Sequence, residues 1–133
     1  MPEKILVVDD EADVRTLTKM MLEEAGYKVV QASNGDEALA MVATEAPDLV
    51  LLDVVMPGKS GFEVCKTLKA GEKTKGIPVI IFTVLGREVD FRLSMESGAD
   101  KFLSKPLKPE GMSNLVKEIR AQLNKAKGQA TPS

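Results

Sequence analysis

The chain has 133 residues, of which 44% are hydrophobic and 29% charged, with a formal net charge of −2. That length suits one domain with a real core, and the charge balance gives no electrostatic reason to bind nucleic acid. With no histidine and a single cysteine, His-dependent triads, His metal sites, Cys clusters and internal disulfides are all excluded.

Met1-Pro2-Glu3-Lys4 lacks a long apolar stretch and no later run reaches membrane-spanning length, so the cytoplasm is the expected compartment. Ile5–Val8 reads as a buried strand that stops on Asp9-Asp10. From Glu11 to Ala25, Val14, Leu17, Met21, Leu22 and Ala25 recur at helical spacing until Gly26 ends the helix. Tyr27–Gln31 is a short second strand. Asn34 with Glu37 forms a capping box before a helix bearing Ala38, Leu39, Val42 and Ala43.

Leu49–Leu52, a third strand after Pro47, ends on Asp53. Ser60 with Glu63 is a second capping box, opening a helix on which Val64, Cys65 and Leu68 share a face. Cys65 is expected in the core, since no histidine is present to activate it. Gly76 and Pro78 precede a fourth strand, Val79–Phe82, followed by Thr83. Over Arg87–Ser97, Leu85, Val89 and Leu93 fit one helical face. Phe91 and Met95 point elsewhere, as an exposed patch or as spill-over from the core. Ala99–Ser104 is a fifth strand, running into Lys105-Pro106. Pro109 opens a last helix with Met112, Leu115, Val116, Ile119 and Leu123 in register. Residues 1–124 are expected to form the domain, and 125–133 a flexible tail or the start of a linker.

Five alternating strand–helix units with continuous apolar strands imply an α/β fold with a doubly wound parallel sheet. Sites in such sheets form outside the carboxyl ends of the strands, at the switch point. Asp9, Asp10 and Asp53 stand at two such ends. Helix capping is the plain reading of Asp9-Asp10 alone. The repetition at Asp53 argues instead for an oxygen-rich site, where a hard divalent cation offsets the crowded charge.

Five motifs occur in order: Val7-Val8-Asp9-Asp10-Glu11, Leu52-Asp53-Val54-Val55-Met56-Pro57-Gly58, Phe82-Thr83, Glu96-Ser97-Gly98-Ala99-Asp100 and Leu103-Ser104-Lys105-Pro106. Together, over about residues 4–124, the chain resembles the receiver domain of two-component response regulators, a chemotaxis-type (CheY-like) fold. The resemblance implies a flavodoxin-like five-stranded sheet of order 2-1-3-4-5, and a regulatory domain rather than a true enzyme. It implies Asp53 as phosphoacceptor, with Mg2+ (Mn2+ as substitute) on Asp10, Asp53 and the Val55 carbonyl, and Asp9 acting largely through water. Lys105 would pair with the acyl phosphate, Thr83 would donate its hydroxyl to it, and Phe102 would be the switch aromatic. A cis Lys105–Pro106 bond is implied too.

The implied partners are a sensor histidine kinase or histidine phosphotransfer protein, and a downstream partner or output domain. The face made by the fourth helix, fifth strand and fifth helix would change on phosphorylation and offer a homodimer contact. No direct nucleic-acid or membrane contact is expected of this chain.

Four positions depart from the commonest pattern. Val84 replaces a smaller residue and narrows access to Asp53, so phosphorylation by acetyl phosphate is expected to be slow and to speed up in Val84→Ala; equal rates would refute this. Val55 and Leu85 cannot orient an attacking water, which favours a long-lived phosphorylated state. Phe102 lacks the hydroxyl of the usual tyrosine, and a plain core role is its alternative. Among other classes, a haloacid-dehalogenase-type phosphatase needs an acid where Val55 stands, and dinucleotide binding needs a Gly-rich turn after the first strand. A degenerate receiver acting as a phosphorylation-independent interaction or dimerisation module is the remaining alternative.

Overall fold

The structure, a computed structural model, describes residues 2–56, 58–83, 92–93, 95–105 and 109–128, less the side chains of 109, 110 and 112. Strands β1 (Lys4–Val8), β2 (Lys28–Ala32), β3 (Leu49–Leu52), β4 (Val79–Thr83) and β5 (Lys101–Ser104) form one sheet. Every pairing is parallel and the order is β2-β1-β3-β4-β5. The helices are α1 (Ala12–Glu24), α2 (Gly35–Glu45), α3 (Gly61–Ala70) and a C-terminal helix, Pro109–Ala126. The doubly wound α/β expectation therefore holds.

Successive strand side chains point to opposite faces, and here both faces are buried. Leu6, Val8, Val50, Leu52, Val79 and Ile81 pack with Ala38 and Val42 of α2 and Val64, Cys65 and Leu68 of α3. Ile5, Val7, Leu49, Leu51, Ile80 and Phe82 pack with Leu22 of α1 and with Leu115, Ile119 and Leu123 of the C-terminal helix. This is why the central strands read as unbroken apolar runs. Each fully buried Leu or Ile contributes about 1.5–3 kcal/mol, so the sheet is a rigid mount for whatever stands at its edge.

Both N-caps form, though among the described residues neither Glu bonds the N–H of its cap residue to complete the capping box. Asn34 Oδ1 accepts the Glu37 N–H at 2.8 Å, and Ser60 Oγ accepts the Glu63 N–H at 3.3 Å. Glu37 reaches back to the Ser33 N–H, one residue before the cap, at 3.0 Å. Cys65 is fully buried, its Sγ 3.5 Å from the Ser97 carbonyl, and burial pushes its thiol pKa up, as a core role requires.

On α1 the buried line differs from expectation. Thr18 and Leu22 are buried, while Leu17 is 39% and Met20 61% exposed. Adjacent helical residues lie about 100° apart, so seating Thr18 against the sheet turns Leu17 towards solvent. In the segment expected as a fourth helix, the described residues 92–93 and 95–96 are helical. Leu93 and Met95 are exposed; Leu85, Val89 and Phe91 lie outside the described residues. The C-terminal helix runs on to Ala126. Among the described residues no helix is long and apolar enough to cross a membrane.

Candidate functional site

The sheet order sets the carboxyl ends of β1 and β3 side by side, with Val8 opposite Leu52. The Asp53 N–H donates to the Val8 carbonyl at 3.0 Å and the Asp9 N–H to the Ala32 carbonyl at 3.2 Å. The ladder thus continues one residue past the strands and delivers both acids to the same edge. Asp9 is 2% and Asp53 6% exposed, whereas Asp10, on the outer side of the turn, is exposed. One carboxylate oxygen from each of the three lies within 4.8 Å of the others.

Two like charges buried this close require compensation, and Lys105 provides part of it. Its N–H donates to the Thr83 carbonyl at 2.7 Å, which carries the β4–β5 pairing past Ser104. Its ammonium bonds Asp9 Oδ2 directly and lies 3.3 Å from Asp53 Oδ2. The Phe82 ring centroid lies 5.6 Å from Nζ, within range of a cation–π attraction. Burial alone would lower the Lys105 pKa. The Asp9 hydrogen bond and the Asp53 charge outweigh it and hold the ammonium above its usual value.

The second oxygen of each buried acid is tied by its own turn. Asp9 Oδ1 accepts the Glu11 N–H at 2.9 Å, and Asp53 Oδ1 accepts the Val55 N–H at 3.2 Å; both are side-chain-to-backbone turns of the kind Asp favours. The Val55 side chain is half-exposed at the rim. Thr83 is fully buried, and among the described residues its hydroxyl has no hydrogen-bond partner. Phe102 is half-buried against the cluster under α2 and α3. Val84 and Pro106, with the expected Lys105–Pro106 bond, lie outside the described residues.

The donor set fits a hard divalent cation. Three carboxylates supply the oxygen ligands such ions prefer, and oxygens on opposite sides of Mg2+ stand about 4.2 Å apart. The acids' oxygens, all within 4.8 Å of one another, are on that scale. With one ammonium against three carboxylates the cluster also retains negative charge.

Two contributors carried no signal of their own in the sequence. Arg15, on the first turn of α1, donates to the Asp9 carbonyl at 2.6 Å and pins the corner between β1 and α1. Nothing distinguishes it by pattern from a solvated arginine. Gly61 starts α3, and its N–H donates to the Val54 carbonyl at 3.3 Å. A Cβ there would collide with the Asp53 carbonyl oxygen and lie 2.7 Å from Val54 Cα. Only glycine lets α3 press onto the backbone that carries Asp53. Gly61→Ala is expected to cost roughly 1–3 kcal/mol by overpacking and to shift the Asp53 amide resonance. Chemical denaturation and amide NMR check this; unchanged stability would mean that the corner yields freely.

The model of the response regulator receiver domain matches residues 5–117. The chain is 44% identical over 119 residues to the alkaline phosphatase synthesis transcriptional regulatory protein PhoP of Bacillus subtilis, covering 90% of this chain and 49% of that protein. It is 40% identical over 121 residues to the phosphate regulon transcriptional regulatory protein PhoB of Pseudomonas aeruginosa, covering 91% and 52%. The chain therefore spans about half the length of these curated relatives. Among solved structures, the receiver domain of a signal transduction histidine kinase from Syntrophus aciditrophicus superposes with a TM-score of 0.86 at 34% identity, covering 98% of this chain and 97% of that one. The chemotaxis protein CheY4 of Vibrio cholerae superposes at 0.82 with 30% identity, covering 90% and 99%.

Proposed function

Because the chain belongs to the response regulator receiver domain family, we propose that it is a phosphorylation-dependent signalling switch. Asp53 accepts a phosphoryl group from a phosphohistidine on a sensor histidine kinase or histidine phosphotransfer protein. The observation that carries this reading is the Lys105 ammonium, bonded to Asp9 and 3.3 Å from Asp53 at the switch-point edge. An Asp53 carboxylate oxygen attacks phosphorus, the bond from phosphorus to the donor's imidazole nitrogen breaks, and the electron pair stays with the imidazole. Lys105 offsets charge on the phosphoryl oxygens. Thr83, whose hydroxyl is otherwise unpartnered among the described residues, donates to one of them. Asp10, Asp53 and the Val55 carbonyl would hold Mg2+ or Mn2+, with Asp9 acting through water; the ion supplies further charge neutralisation.

The acyl phosphate then favours one of two arrangements through Thr83 and Lys105. Phe102 and the face formed by the fourth helix, β5 and the C-terminal helix report the change to a partner, an output domain or a second copy. PhoP and PhoB are named as transcriptional regulators. We take control of an output of that class as the downstream role, exerted in the cytoplasm and without nucleic-acid contact by this segment. The test is intact-mass spectrometry after incubation with Mg2+ and acetyl phosphate. Wild type is expected to gain one phosphoryl group and Asp53→Asn none. A phosphoryl group that persists in Asp53→Asn would sink the assignment.

A further inference from the structure

A second polar pocket, of about 180 Å3, lies at the sheet edge opposite the acids. There the segment before β4, the segment before β5 and the end of the C-terminal helix meet. Lys69, Lys75, Pro78, Asp100, Gln122 and Lys125 line it. Gln122 is the anomaly. Its neighbours on the helix's inner line, Leu115, Ile119 and Leu123, are each at most 2% exposed, and an apolar residue is expected among them. Instead an amide stands there, 9% exposed, and among the described residues it forms no hydrogen bond. Its oxygen and nitrogen are not sealed from solvent, so they can bond what enters the pocket.

The surrounding charge indicates what that partner is. Lys69 is committed to Asp100 at 2.7 Å and to the carbonyls of Lys75 and Ile77 at 3.3 and 2.9 Å, which cancels the one carboxylate of the lining. Lys75 and Lys125 are exposed at the mouth. The nearest acid to Lys75 is Glu72 at 3.7 Å, itself 92% exposed, a pairing of little strength. The helix's last carbonyls add partial negative charge, and Lys125 in its last turn offsets it.

We propose that this pocket binds a small tetrahedral oxyanion of the phosphate class, with the Gln122 amide N–H and the Lys75 and Lys125 ammonium groups as donors. Size sets the class. The volume equals about six waters' share of the liquid, enough for one oxyanion and part of its hydration, and is well below the roughly 300 Å3 at which drug-sized ligand sites begin. Charge separates phosphate from carboxylate: two ammonium groups without a strong acid partner suit a dianion better than a monoanion.

The test is 15N NMR of the full chain, with divalent ions chelated, titrated separately with inorganic phosphate, acetate, and chloride at matched ionic strength. Phosphate is expected to give saturable shifts of the Gln122 side-chain amide and of the Lys75, Gly76 and Lys125 amides, retained in Asp53→Asn. Gln122→Glu keeps the side-chain size and sets a carboxylate in the pocket; it is expected to weaken phosphate binding roughly tenfold or more, and Lys125→Gln to weaken it less. Chloride shifts that match those of phosphate, acetate binding tighter than phosphate, loss of the shifts in Asp53→Asn, or wild-type affinity in Gln122→Glu would each overturn the proposal.

Discussion

Lys105→Met is expected to lower the unfolding free energy by roughly 3–5 kcal/mol at neutral pH without divalent metal, the cost of leaving a buried charge uncompensated. The Lys105 side chain is 5% exposed and those of Asp9 and Asp53 are 3% and 8% exposed, so solvent screens little of the loss. Methionine keeps the length and apolar stem of lysine, which leaves the charge as the main change. The deficit is expected to shrink when millimolar Mg2+ is added. Urea denaturation with and without Mg2+ at neutral pH reads this. A variant as stable as wild type without metal would show that the ammonium does not hold the acids.

The pH dependence of wild type follows the same contact. The Lys105 pKa is raised on folding, so its contribution is fully present below the unfolded value of about 10.4 and disappears as pH rises through the higher folded value. No loss from this group is expected across the neutral range. A stability decrease centred between pH 6 and pH 8, about two or more units below that, would contradict the assignment.

Thr83→Val should separate stability from switching. Valine has the shape of threonine without the hydroxyl. The hydroxyl is fully buried and unpartnered among the described residues, so its removal is expected to stabilise the unphosphorylated chain by about 1–2 kcal/mol. Asp53 should still be phosphorylated, because valine leaves the carboxylates and Lys105 in place. The coupling is expected to fail: amide resonances of β5 and the C-terminal helix, which are expected to move on phosphorylation of wild type, should stay near their unphosphorylated positions. Amide NMR with and without acetyl phosphate, beside a denaturation series, checks both halves. Destabilisation by the substitution, or a full phosphorylation response, would each contradict this account.

The fold was legible because its signals are local. Apolar runs of strand length, the caps at Asn34 and Ser60, and the stop at Gly26 are each written within a few residues, and all appear in the structure. The family resemblance rested on the same short segments. The least legible helix was α1, where Val14, Leu17 and Met21 repeat as regularly as any core stripe. Thr18 displaces Leu17 from the sheet, because rotation about the helix axis is chosen by packing and not by spacing.

Chain order alone sets which residue types stand at strand ends: acids after β1 and β3, a hydroxyl ending β4 and an ammonium after β5. That information is covalent, since it needs only the chain order and the period of each element. Which of these groups meet is settled by the packing of the folded chain. The crossover from β2 past β1 to β3 brings Asp9 and Asp53 within reach of Lys105, 96 and 52 residues away. It also aims Arg15 at the Asp9 carbonyl and closes α3 onto Asp53 through Gly61. These contacts depend on angles and distances set by the packing of two apolar faces, and no window of the sequence contains them.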